Sequence, residues 1–214
     1  MKFTLTVASS LCLLFTLLHQ HALGQQTQLE MRQKFNASDF VYNLDSASAV
    51  LTNGGGSIRP LLVDQMPALA GQKISMVLFE LLPCGIIIPE VHPRATEMIY
   101  VIQGANLQVG FAEENGGRFL INVLQQGQVT FFPQGLIHFQ QNLGCSKVKY
   151  IAGLNNEDPG VLSMSTQTFG LPAYALESTF NQTLAEIQAI KAGLPPGPAA
   201  GYGNCLATCL KSRK

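Results

Sequence analysis

Between Lys73 and Tyr150 the chain is cut into short apolar or alternating runs separated by turn residues, and this rhythm restricts the fold more than any other feature. The runs are Ile74 to Leu82, Met98 to Gln103, Asn106 to Phe111, Arg118 to Leu124, Gln128 to Phe132, His138 to Asn142 and Val148 to Leu154. Side chains alternate across a strand with period two, so each run can bury one face. Glu114-Asn115-Gly116-Gly117 and Pro133-Gln134-Gly135 supply turn chemistry between runs. An all-β sandwich or barrel follows, and the absence of strand–helix alternation argues against a doubly wound α/β sheet.

The flanks read differently. Ser46 to Arg59, with Gly54-Gly55-Gly56 at its centre, reads as loop with one short strand at most. From Ser178 to Ala192 the spacing of Phe180, Leu184, Ile187 and Ile190 is helical, and Gly193 with Pro195-Pro196 supplies a stop. Pro195 to Gly203 then reads as a linker to a tail carrying Cys205 and Cys209. The 47% hydrophobic content of the 214 residues suits a single core and excludes disorder, although only 12% are charged. Thirteen Lys and Arg balance thirteen Asp and Glu, and no basic run interleaves with aromatics, which excludes an electrostatic nucleic-acid footprint.

Lys2, the apolar stretch Leu5 to Leu18 and the small residues of Ala22-Leu23-Gly24 form a secretory signal, with cleavage expected after Gly24. The apolar stretch is shorter than the roughly 20 residues that span a bilayer, so no membrane attachment is expected after cleavage. Removing the signal leaves Cys84, Cys145, Cys205 and Cys209 in a chain bound for an oxidising compartment, a natural count for two disulfides. It also leaves His92 and His138 as the histidines of the mature chain. Asn36-Ala37-Ser38 and Asn181-Gln182-Thr183 are N-glycosylation sequons of a secreted surface. The expected layout is a signal peptide at 1–24, a leader at 25–49, a barrel at 50–177, a helix at 178–193 and a linker and tail at 194–214.

Potential metal ligands gather in two segments. Glu90 and His92 are two apart and share a face of an extended strand, His138 can come from a neighbouring strand, and Glu97 lies just past a turn. Imidazole nitrogen with carboxylate oxygen suits Mn²⁺, Fe²⁺ or Zn²⁺ rather than an all-oxygen Ca²⁺ or Mg²⁺ site. The bland alternative is a pair of ordinary hydrogen-bonded histidines. Arg94 is expected to pair with a carboxylate and hold its turn, and Asn142 to reach the ion or satisfy backbone groups. Phe131, Phe132 and Phe139 are expected in the core or a pocket wall.

The same two segments resemble the paired motifs of the cupin superfamily, in particular germin-like proteins and spherulins. Gly127, Pro133, Gly135, His138 and Asn142 meet the second motif in full. His92, Pro93-Arg94-Ala95-Thr96, Glu97 and Gly104 match the first, which departs at two places: Cys84 stands at the initial glycine and Glu90 at the first metal-binding histidine. The similarity extends across roughly residues 50 to 193, with Asn155-Asn156-Glu157-Asp158-Pro159-Gly160 and Phe169-Gly170-Leu171-Pro172 resembling the spherulin branch. It implies a jelly-roll barrel holding manganese, with His92, Glu97 and His138 as ligands, Glu90 at the fourth position, and homo-oligomers.

Glu90 leaves three readings open: an alternative ligand, the mark of a site that has lost its metal, or a base beside a three-ligand ion. As a ligand it would complete two carboxylates and two imidazoles, which cancel the charge of a divalent ion, where three imidazoles and one carboxylate leave about plus one. Oxalate oxidation is therefore expected to be absent or much weakened. The implied jelly roll also sets the strand of Glu90 against that of His138, so Cys84 is expected to meet Cys145 and Cys205 to pair with Cys209; the alternative ties the tail to Cys84 and Cys145. Three functions compete: a secreted metal-binding oxidoreductase on a small oxygenated molecule, a non-enzymatic extracellular or wall-associated protein of stress or encystment, and a sugar or small-ligand receptor.

Overall fold

The computed structural model describes residues 27–49, 51–195, 197, 199 and 203–211, so the expected signal peptide lies outside the described residues. The chain divides into two units, residues 1–41 and 42–214. In the first, helix α1 (Gln28–Arg32) begins at a reciprocal cap, Thr27 Oγ1 accepting from the Glu30 N–H and Glu30 Oε2 from the Thr27 N–H. A 3-10 turn, Ala37–Phe40, follows the exposed Asn36.

The second unit is built on antiparallel sheets. Its strands are β1 (Leu51–Asn53), β2 (Gly56–Leu61), β3 (Ser75–Leu81), β4 (Ile86–Val91), β5 (Glu97–Gln103), β6 (Leu107–Ala112), β7 (Phe119–Leu124), β8 (Val129–Phe132), β9 (His138–Asn142), β10 (Val148–Leu154) and β11 (Leu162–Ser163). One sheet has the order β1-β2-β3-β10-β5-β8 and the other β11-β4-β9-β6-β7. This is the expected all-β jelly roll. Period two does the sorting: on β10 every second residue, Val148, Tyr150, Ala152 and Leu154, is buried, and on β5 Glu97, Ile99 and Val101 are. The inner faces of both sheets share one core, in which Phe79 and Tyr150 stack at 4.8 Å beside Ile87, Leu107 and Val109.

Each of the seven expected runs forms a strand, with ends that agree to within one residue. The stretch read mostly as loop instead contains the β1–β2 hairpin, closed at Gly54-Gly55. A Cβ on Gly55 would collide with the Ala199 carbonyl, and one on Gly85 with the Gly55 carbonyl, so three backbone segments meet where only glycine fits. The single helix expected over 178–192 is two helices, α3 (Ala173–Phe180) and α4 (Leu184–Gly193), preceded by the short α2 (Met164–Thr168). Asn181 takes a left-handed conformation at the end of α3, and Thr183 with Glu186 forms a reciprocal cap on α4.

The tail departs most from expectation. It carries a helix, α5 (Gly203–Lys211), and Ala199 forms a β-bridge with Ile86. Disulfides join Cys84 to Cys205 and Cys145 to Cys209, which corrects the Cys84–Cys145 and Cys205–Cys209 pairing. The Cys84 and Cys145 segments do meet, since the Cys84 N–H donates to the Gly144 carbonyl at 3.3 Å. Their thiols, however, turn to the tail, where Cys205 and Cys209 sit one turn apart and present both sulfurs from one helical face. Phe131 is a further correction: it is adjacent to Phe132 on β8, and with Phe132 buried the alternation turns it outward and leaves it half exposed.

Candidate metal centre

Glu90, His92, Glu97 and His138 come together inside the barrel, and all four are buried. The strand β4 carries Glu90 through a local irregularity. Pro89 has no N–H to give the ladder, the register between β4 and β9 shifts between Ile87 and Glu90, and Glu90 lands directly opposite His138. His92 follows the end of β4, and Glu97, the first residue of β5, arrives from the opposite sheet.

His92 Nε2 lies 3.3 Å from Glu97 Oε2 and 3.9 Å from Glu90 Oε1, and His138 Nε2 lies 3.2 Å from Glu97 Oε2. Glu90, His92 and His138 each offer a ligand atom, all within 4.8 Å of one another. His92 Nδ1 meets the Gly160 carbonyl at 2.7 Å and His138 Nδ1 the Leu136 carbonyl at 2.9 Å. A carbonyl only accepts, so each ring carries its proton on Nδ1 and turns Nε2 toward the carboxylates. Phe132 stacks on the His138 ring at 4.6 Å and fixes its plane. Glu97 Oε2 and His138 Nε2 are fully buried without a hydrogen bond of good alignment, so both aim at shared space rather than along one line to each other.

The charges in the cluster are interdependent. Burial pushes the Glu90 carboxyl up to about 7, with His92 and His138 opposing and Glu97 adding to the rise. Burial would also raise Glu97, but the close His138 and His92 rings outweigh it and hold this carboxyl at about 2. For His92, burial works against the charged form, yet Glu97, then Glu90 and the Gly160 carbonyl, raise it to about 9. Two carboxylates and two imidazoles with inward Nε2 atoms form a donor set that fits a divalent transition ion, which would take the place of the shared protons. The sulfurs of Cys84, Cys205 and Cys209 also gather closely, but they are committed to disulfides.

The other sequence candidates separate from the cluster. Arg94 pairs with Asp158 at 2.7 Å and holds the loop, as expected. Asn142 donates to the carbonyls of Leu82 and Ser146 and accepts from the Gly144 N–H, so it satisfies backbone and does not face the ion position. The carbonyls of Gly160 and Leu136 orient the rings, a role the sequence did not signal although Gly160 belongs to the spherulin-like stretch; a backbone acceptor carries no side-chain signal. Beside the cluster lies a cavity of about 230 Å³, into which Glu90, His92 and Glu97 project.

The family model described as Cupin matches residues 42–187. Spherulin-1B of Physarum polycephalum is 33% identical over 189 residues, covering 87% of this chain and 76% of that protein. Germin-like protein subfamily 1 member 14 of Arabidopsis thaliana is 36% identical over 137 residues, covering 63% and 61%. Among solved structures, an oxalate oxidase in complex with the substrate analogue glycolate superimposes with a TM-score of 0.69 at 26% identity, covering 78% of this chain and 86% of that one. Jelly-roll sheets, paired motifs and these likenesses agree: the chain belongs to the cupin family, among the germin-like proteins and spherulins.

Proposed function

We propose that this chain is a secreted germin-like cupin that binds a divalent transition ion, manganese first and Fe²⁺ or Zn²⁺ as alternatives, through Glu90, His92, Glu97 and His138. The observation that carries the reading is the convergence of four buried donors with both histidines oriented through Nδ1 by backbone carbonyls. A bound ion would supply Lewis-acid or one-electron chemistry to a small oxygenated molecule. The chain's own residues orient the donors, exclude bulk water through the apolar cavity wall, and leave room for a ligand beside Glu90 and His92. With Glu90 in the histidine position the loaded site would be neutral, so oxalate would lose the attraction of a net positive centre.

Secretion to the extracellular space or cell wall is supported by the two disulfides and by the exposure of Asn36 and Asn181 in the sequons. Among the described residues no helix is long and apolar enough to cross a membrane. Homo-oligomerisation is supported by Leu184 and Ile190, which α4 leaves exposed. A second reading, a non-enzymatic extracellular or encystment protein, is favoured by Glu90 itself and by the likeness to Spherulin-1B.

Elemental analysis and electron paramagnetic resonance on protein secreted from a eukaryotic host, beside Glu90→His, separate the two. The expected result is near-stoichiometric manganese or iron in the native protein, with affinity or metal selectivity changed at least tenfold in Glu90→His. A folded but empty native protein that gains metal in Glu90→His would replace the first reading with the second.

A further inference from the structure

The cavity beside the cluster has a character that ion binding does not explain. Its walls are Ile58 of β2, Val77 and Phe79 of β3, Ile87 and Ile88 of β4, with Val161 at the rim. The polar side chains among its described lining residues are Glu90, His92, Glu97 and Ser163, with no Lys, Arg, Asn or Gln among those residues. The nearby Arg94 is occupied outside it by Asp158. A small dianion entering here would shed its water against aliphatic walls and two carboxylates, and the cationic group among the described lining residues, His92, is already engaged by Glu97 and Glu90.

Size narrows the occupant further. An apolar cavity of about 150 Å³ accepts benzene. At about 230 Å³ this one has room for a single ring with a short substituent, and not for an extended polycyclic body. Among the described lining residues the polar chemistry lies with the cluster and Ser163, so an occupant needs an apolar body and an oxygen presented to that side.

We infer that the cavity is the substrate subsite of this centre and takes an uncharged, phenol-sized hydroxylated molecule, its ring against Ile58, Phe79 and Ile87 and its oxygen toward Glu90 and His92. The inference rests on the reading of the cluster as a metal centre and names the substrate class of that centre. A neutral loaded site matches a neutral ligand, and the aliphatic wall supplies affinity through burial of the ring.

The test uses the mature, disulfide-intact protein, metal-free and after Mn²⁺ loading, with 4-ethylphenol and oxalate as probes in calorimetric titration. The expected result is 4-ethylphenol bound at least tenfold more tightly than oxalate in both forms. Val161 is half exposed at the rim, so Val161→Trp can obstruct the entrance without disturbing the core and is expected to weaken 4-ethylphenol binding tenfold or more. Ile58→Trp serves as a second obstruction. In the Mn²⁺-loaded form, paramagnetic broadening is expected to be stronger for the ring protons next to the hydroxyl than for the ethyl methyl group. Oxalate binding more tightly, 4-ethylphenol binding indifferent to both tryptophans, or loading by Mn²⁺ without 4-ethylphenol binding would each overturn the inference. A protein that takes no Mn²⁺ but binds 4-ethylphenol in a Val161-dependent way would remove the metal reading and leave the subsite standing.

Discussion

The contact between the His92 ring and the Gly160 carbonyl, 68 positions apart in sequence, decides which ring nitrogen faces the cluster. Gly160 holds φ at +68°, and a Cβ there would stand 2.9 Å from Pro93 Cγ and 3.0 Å from Arg94 Nη2. Gly160→Ala is therefore expected to cost about 1–2 kcal/mol from the left-handed backbone alone. By moving the carbonyl it should also weaken Mn²⁺ binding about 10- to 100-fold; thermal unfolding and metal titration check the two effects separately, and unchanged affinity would deny Gly160 its orienting role. Cys84 shows the same logic in reverse, since its φ of 62° is one that glycine adopts readily, the residue at the corresponding cupin position. The four cluster residues were legible in sequence because chemistry-bearing side chains at strand spacing leave a pattern. Their orienting carbonyls were not, because a backbone oxygen is the same in every residue.

At the scale of elements, alternation made most strands readable, and its interruption left β4 to be placed through Glu90 and His92 rather than through a run of its own. The segment of β4, Ile86-Ile87-Ile88-Pro89, has no polar residue to alternate with, and its bulge buries Ile87 and Ile88 in succession before Glu90 and Val91. The helices misled in the opposite way. Phe180, Leu184, Ile187 and Ile190 keep helical spacing across a break, but in the folded chain Ile187 is buried while the other three are exposed. The break itself was written in Asn181 and in Thr183-x-x-Glu186, a capping pattern that outweighs apolar periodicity because it satisfies backbone N–H groups that water would otherwise have to serve. Thr183→Ala, measured in enzymatically deglycosylated protein so that the lost sequon does not contribute, is expected to cost about 1 kcal/mol. That corresponds to a fall in melting temperature of roughly 2–4 °C for a chain of this size; no fall would mean that the cap is redundant.

For the molecule as a whole, the tail is part of the barrel unit. Cys84–Cys205 spans 121 positions and Cys145–Cys209 spans 64, so each closes a long loop. Between them the Ala199 bridge to Ile86 extends the pairing of the strand that carries Glu90. Cys145→Ala with Cys209→Ala is expected to cost about 2–4 kcal/mol, read by denaturant unfolding. Non-reducing peptide mapping of the native protein should return Cys84–Cys205 and Cys145–Cys209 peptides, and a Cys205–Cys209 peptide would contradict this connectivity. By itself the sequence determined the β class, through its alternation of period two, and the identities of the clustered donors, through their residue types and spacing. Only the tertiary structure decided the disulfide partners, the outward turn of Phe131, the bulge that aims Glu90 and the shape of the cavity. Each of these depends on which distant backbone arrives alongside, and a local pattern carries no term for a neighbour a hundred positions away.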